Sequence, residues 1–400
     1  MSKAIVIGAG IAGIASAIRL TLKGYDVDVF EASSSPGGKL SEIRIGDFRF
    51  DAGPSLFTMP QYVDELFILA GKDPQDHFKY HRLENTCKYF YEDGVRINAF
   101  SDSDKFAKEI GNKTIDPPES VTKFLKKSEK IYNITHEVFL ERSLHKIGSY
   151  LNLSTLRSLI RFPQIDPFRS MNEANQSSFS DPKTIQLFNR YATYNGSNPY
   201  QAPATLNVIP HFEHHFGAWF PDGGMYSIVS SLVELAFSLG VEFHYNTYVD
   251  EIVLSNNKVK GVKIKGQHHI ADLVISNMDI WYTYNKLLKG LPIPKRIQSQ
   301  ERSSSALIFY WGINKSFPEI DLHNIFFSKN YEEEFRAIWQ SKNIYHDPSI
   351  YVNVSSKFNR GDAPEGSENW FTMINVPSDT GQDWDALIKD ARTNILKKVS

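Results

Sequence analysis

One cysteine, Cys87, is all that this 400-residue chain holds. No disulfide can close within it, and a reducing cytoplasm is the expected setting. An excess of either charge is also lacking. The 44 Lys and Arg against 46 Asp and Glu leave a net charge of −2, so no global field draws the chain to nucleic acid. Uncharged runs of about 18 or more residues are missing too, which excludes a helix that spans a bilayer. The run from Ala4 to Ile18 has the length of a signal-peptide core, but Gly8, Gly10 and Gly13 interrupt it. No Ser-His-Asp or Cys-His set has persuasive spacing.

Aromatic residues, by contrast, are plentiful: 27 Phe, 19 Tyr and 6 Trp. They suit a large apolar cavity, and a bulky core would account for them equally well. The length points to two domains or interleaved lobes, and helix and strand signals alternate without a solenoid repeat. The expected fold class is mixed α/β. A Rossmann-like lobe would come from residues 1–75 and 223–290, and a sheet-and-helix substrate lobe from 76–222 and 291–400.

The first motif is "KAIVIGAGIAGIASAIRLTLKGYDVDVFE". Ala4 to Ile7 is continuously apolar, as a buried parallel strand is. Gly8, Gly10 and Gly13 then make G-x-G-x-x-G, and Ala12, Ala15, Ile18 and Leu22 recur at helical spacing. Gly24 ends the helix, and Val27, Val29 and Phe30 form a second strand that closes on Glu31. Gly8 permits the tight turn, Gly10 lets backbone approach a pyrophosphate, and Gly13 lets helix pack on strand. Glu31 follows by the roughly 20 residues that place an acid on a ribose hydroxyl. An adenine dinucleotide is expected here, and the fingerprint does not separate FAD from NAD.

Past Glu31 come Pro36-Gly37-Gly38-Lys39 and Phe50-Asp51-Ala52-Gly53-Pro54. With the first motif, this succession resembles the flavoprotein amine oxidase and carotenoid desaturase superfamily. "YATYNGSNPYQAP", "HFEHHFGAWFPDGG" and "VISNMDIWYTYNKLL" narrow the resemblance to bacterial phytoene desaturase-type carotenoid desaturases. The resemblance covers nearly the whole chain.

That resemblance implies FAD, held by Gly8, Gly10, Gly13, Glu31, Gly38, Lys39, Gly53, Pro54 and Ser55, with Val249 at the adenine end. Val241 to Leu254 alternates as strands do, after a helix that Gly240 ends. The implied reaction is hydride removal from a C–C unit beside a polyene, then proton loss. The substrate is phytoene-type, or a hydroxylated or monocyclic carotenoid desaturated at C3–C4. A single dinucleotide fingerprint points to quinone or oxygen as the electron acceptor. A polyene isomerase or saturase, and a non-catalytic carotenoid carrier, are the competing readings. Relatives carry a glycine- and proline-rich flavin motif near the C-terminus. The chain ends instead at "DWDALIKDARTNILKKVS", so either a longer polypeptide or a flavin pocket open on one side is expected.

A carotenoid lies in lipid, so a membrane face is expected within the helical segment 120–195. Between Ser143 and Arg169, the bases Lys146, Arg157, Arg161 and Arg169 interleave with Leu156, Leu159, Ile160 and Phe162. That pattern suits an interfacial helix, and peripheral membrane association follows.

His211, Glu213, His214 and His215 imitate a metal cluster, with His211 and His214 sharing a helix face. Without cysteines or an evident distant ligand, no metal is expected. The preferred reading is a helix end that turns into a channel wall of Phe216, Trp219, Phe220 and Met225. His211 and Glu213 would lie near the channel, and Glu213 would accept the proton.

Overall fold

The structure, a computed structural model, describes residues 1–139, 161–256 and 258–399. Its contacts divide the chain into two compact units. The first joins Met1–His81 to Trp219–Glu301, and the second joins Arg82–Ala218 to Arg302–Ser400.

In the first unit, strand β1 (Lys3–Ile7) leads through the glycine turn to helix α1 (Ile11–Leu22) and strand β2 (Asp26–Phe30). These strands lie in a four-stranded parallel sheet, in the order Glu242–His244, β2, β1, Leu273–Ser276. Ala4 pairs with Leu273 and Ile7 with Ser276, so the sheet unites the two ends of the unit. Helix α1 packs beside a second helix, Ser227–Ser238. Both end at a glycine in the left-handed region, where the next residue's N–H reaches back: Tyr25 to the Leu20 carbonyl and Val241 to that of Ala236.

Two local readings are corrected. The buried stripe of α1 is Gly13, Ile14, Ala17, Ile18 and Leu20. Of the four residues that the spacing marked, only Ile18 is buried, and Leu22 is 41% exposed. Close packing around Gly13 set the phase of the helix. The expected strand Val241–Leu254 is in fact two strands in different sheets. Glu242–His244 extends the parallel sheet, and Glu251–Ser255 begins a three-stranded antiparallel sheet with Lys258–Ile264 and Gln267–Ile270. Alternation cannot register the bend between them, where Asn246 has φ 51°.

Among the described residues, two apolar clusters pack in this unit. One gathers Val6, Ile14, Ala17, Val29, Phe67, Val229 and Leu232. The other joins Ile5, Ile7 and Phe30 to Val249, Ile252, Val262 and Ile264. Each fully buried aliphatic side chain stabilises by roughly 1.5–3 kcal/mol.

The second unit is built on a six-stranded mixed sheet. Its order is Ser305–Ile313, Glu368–Val376, Ile350–Asn353, His323–Phe326, Asn85–Phe90, Arg96–Phe100. One pairing, His323–Phe326 with Asn85–Phe90, is parallel, and the others are antiparallel. One of its cores packs Phe106, Phe124, Phe188 and Tyr191 with Tyr89 and Phe327. The amphipathic end of the chain is a helix, Trp384–Val399, that buries Ala391 and Ile395.

Most of the expected membrane-facing segment, residues 140–160, lies outside the described residues. Within its described end, Phe168 is 84% and Phe162 41% exposed, and their rings meet edge to face. Asp166 pairs with both Arg169 and Lys127. No described helix is long and apolar enough to cross a membrane.

Candidate functional site

Three loops of the first unit stack backbone against backbone. Gly8 donates to the Phe30 carbonyl at 2.8 Å, which closes the first turn on the end of β2. Gly37 donates to the Ala9 carbonyl at 2.8 Å and bridges Gly10, which joins the second loop to the first. A β-carbon on Gly13 would lie 2.1 Å from the Gly8 carbonyl oxygen, and one on Gly53 would lie 1.8 Å from that of Lys39. Backbone atoms cannot yield that much, so each contact demands glycine.

Above this stack, α1 begins at Gly10 with no side-chain cap and no acidic residue in its first turn. Its free N–H groups and dipole suit an anion. Glu31, buried at the end of β2, accepts hydrogen bonds from the backbone N–H of Ala9 (2.7 Å) and Ser33 (2.8 Å). A carboxylate has about four acceptor sites, so two remain for ribose hydroxyls. Val249 lies buried in the Phe30 cluster. Between Glu31 and Val249 the chain is tied by Thr247 N–H to the Glu31 carbonyl at 2.8 Å. Gly38, Lys39 and Pro54 are exposed and Ser55 is half-buried. These residues fit a dinucleotide: a cradle without side chains, an anion-ready helix end and an acid at the ribose position.

Two residues here escaped the sequence reading. Asn277 follows the Leu273–Ser276 strand, and a β-carbon on Gly10 would come 2.7 Å from its side-chain nitrogen. Asp51 accepts from the N–H groups of Met225 and Tyr226, both at 2.9 Å, and from Arg49 at 2.8 Å. It thereby fixes the turn that starts the Ser227–Ser238 helix. Each stands in a quoted motif, but its partner lies far away in sequence. Met225 itself is 3% exposed and packs in the core of the first unit.

In the second unit, "HFEHHF" forms a short helical turn, Ile209–His211, that widens to π geometry over Phe212–Phe216. The wider turn places His211 over His215, with rings stacked at 4.4 Å and 11°. His214 turns away to stack on Phe106 at 4.5 Å. The expected shared face of His211 and His214 is therefore replaced by a pair four residues apart. Burial, then the neighbouring His215, lowers the pKa of His211 to about 4. His211, His214 and His215 border a cleft of about 230 Å³ together with Lys126, Glu129 and Thr122.

Glu213 points inward and is 1% exposed. It accepts from the Tyr191 hydroxyl at 2.8 Å, from Arg190 at 3.3 Å, and from the Tyr194 hydroxyl. Arg190 in turn lies over the rings of Tyr89, Tyr191 and Tyr194. The carboxylate is thus the counter-ion of a buried guanidinium, a partnership that no spacing announced.

Phe216 meets Tyr132, His211 and His215 in the second unit. Trp219 meets Tyr80, and Phe220 meets His81, in the first.

Known proteins resemble the chain along its length. The profile of the flavin-containing amine oxidoreductases matches residues 11–391. A protein of Flavobacterium sp. (strain P99-3), named 1-hydroxycarotenoid 3,4-desaturase, is 48% identical over 399 residues, which span 100% of this chain and 81% of that one. A 4,4'-diapolycopene oxygenase of Methylomonas sp. is 33% identical over 94% of this chain and 76% of its own. Among solved structures, an oxidoreductase from Methanosarcina mazei shares the fold with a TM-score of 0.68 at 17% identity, over 98% of this chain and 83% of that one.

Proposed function

Because the chain belongs to the flavin-containing amine oxidoreductase family and is thereby an FAD-dependent oxidoreductase, we propose that it desaturates a hydroxylated carotenoid at C3–C4. The observation that carries this reading is the 48% identity along the whole chain to the 1-hydroxycarotenoid 3,4-desaturase. Carotenoid desaturation itself fits the wider set of relatives, which includes a phytoene desaturase of Fusarium fujikuroi.

Bound FAD supplies the hydride acceptor. The chain's own part is to hold it and to take the proton. Gly8, Gly10, Gly13, Gly38 and Gly53 give the cofactor a surface without side chains, the first turn of α1 receives its pyrophosphate, and Glu31 its ribose. Lys39, Pro54 and Ser55 border the same cradle, and Val249 backs the adenine. The substrate loses one hydride and one proton, so a single C–C bond becomes double. Glu213 is our candidate for the proton. Its tyrosine partners, Tyr191 and Tyr194, would relay it to the carboxylate oxygens. Glu213→Gln keeps the shape and removes the charge, so unchanged desaturation by that variant would rule the role out. Phe216, Trp219, Phe220 and His211 are the proposed channel neighbours. The exposed Phe162 and Phe168 support a membrane-facing surface at which the lipid substrate enters, with quinone or oxygen as final acceptor.

FAD-loaded protein incubated with a 1-hydroxycarotenoid in liposomes tests the reading. A red-shifted spectrum with loss of two hydrogen atoms in the product is expected. Sharpened bands at constant mass would replace it with isomerisation, and binding without any change would make the chain a carrier.

A further inference from the structure

The edge of the parallel sheet carries a cluster that the flavin reading does not use. Strand residues two apart share a face, so Glu242 and His244 project together from the edge strand. The parallel register sets Glu242 directly against Asp28 of β2, and His244 against Phe30. The His244 ring stacks on Phe30 at 4.6 Å and 18°, which fixes its orientation. Its Nε2 then lies 3.4 Å from Asp28 Oδ1 and 3.9 Å from Glu242 Oε2. One ligand atom from each of the three residues falls within 4.8 Å of the others, and no other such group of three or more occurs among the described residues.

We propose that Asp28, Glu242 and His244 bind a first-row divalent transition ion such as Zn²⁺. Ligands about 2.0–2.2 Å from zinc in a tetrahedron stand roughly 3.3–3.6 Å apart, which a small swing of the exposed Glu242 side chain and the part-exposed His244 toward Asp28 would meet. One imidazole and two carboxylates suit such an ion better than Ca²⁺ or Mg²⁺, which favour oxygen throughout. Lys3 Nζ holds Asp28 Oδ2 and Asp26 Oδ2, each at 2.9 Å, so Oδ1 is the oxygen turned to the ion. Lys3 also partly neutralises the carboxylates, which weakens the site relative to an all-acid pocket.

The ion would clamp a strand that needs it. Only Glu242, Phe243 and His244 pair with β2, and the His244 carbonyl accepts the N–H of Glu31 at 3.0 Å. A bond from Asp28 to the edge strand therefore braces the acid at the head of the dinucleotide cradle.

The test uses the whole chain, stripped by a chelator and titrated with Co²⁺ under its visible absorption. Saturable uptake of one ion is expected, together with a rise in thermal midpoint. H244F keeps the ring on Phe30 but removes the ligand. It should weaken uptake about tenfold or more, the scale on which even outer-shell partners change metal affinity. E242Q should weaken uptake likewise, and H268A, at an exposed histidine outside the cluster, should not. An H244F chain with the wild-type midpoint in chelator but undiminished Co²⁺ uptake would overturn the site. Absence of saturable uptake by the wild type would overturn it equally.

Discussion

Gly53 stands so close to the Lys39 carbonyl oxygen that a methyl group there would overlap it, at 1.8 Å. Gly53→Ala must therefore push the third loop off the second. Flavin content, read as the ratio of visible to ultraviolet absorbance after purification, should fall by about tenfold, since a displaced loop removes a cofactor contact of roughly 1.4 kcal/mol or more. Gly361→Ala, where a β-carbon meets nothing nearer than 3.9 Å, should leave the ratio unchanged.

Glu31→Gln tests the acid. Both N–H groups that face its carboxylate need an acceptor, and an amide offers only one oxygen. The unmatched donor should cost about 1–3 kcal/mol in unfolding free energy by urea titration. Weaker FAD binding, by about tenfold in a fluorescence titration, should accompany it. Full FAD affinity in this variant would remove Glu31 from the ribose site.

Cys87 should be inert. It is buried, and burial pushes its thiol up to about 12. A thiol-specific colour reagent at pH 8 should find no reactive group in native protein and one per chain in denaturant. Reaction in the native state on the scale of minutes would show that this strand opens.

Acid should loosen the second unit through its buried histidines, His214 and His323 among them. Burial lowers His214 and His323 to about 4, with Glu213 and Asp321 offsetting only part of the effect. The unfolded chain takes up these protons first, near the ordinary value of 6.5. The stability is therefore complete above that pH and is lost as pH falls toward 4. Each histidine should lower unfolding free energy by about 2 kcal/mol between pH 8 and pH 5. H214F, which keeps the stack on Phe106, should remove about one such contribution. A flat urea-unfolding profile across this range would contradict the burial.

Local chemistry made the nucleotide motif legible. Gly8, Gly10, Gly13 and Glu31 act within one strand–turn–helix–strand unit, so their spacing encodes their geometry. What escaped depends on partners distant in the chain: Asn277 against Gly10, Asp51 under Met225, and Arg190 against Glu213. "HFEHH" misled because residues at helical spacing need not share a face once one turn widens to π geometry. Val241–Leu254 misled for a related reason, since a bend inside an alternating run leaves the alternation intact. The helix phase failed because Gly13 meets the Gly8 carbonyl, which turns Ile14, Ala17 and Leu20 inward in place of Ala12, Ala15 and Leu22.

The pairing of β1 with Leu273–Ser276 also bears on how the protein is made. At about 5–20 residues per second, the ribosome needs roughly 15–55 s to deliver that strand after the first. Until then β1, with its run of Ala4, Ile5, Val6 and Ile7, has one side of its ladder open. The unit cannot finish folding in order of synthesis. It has to keep an apolar strand edge protected while the whole of Arg82–Ala218 emerges, which makes this interval the point of greatest exposure to aggregation and the natural place for a chaperone to act.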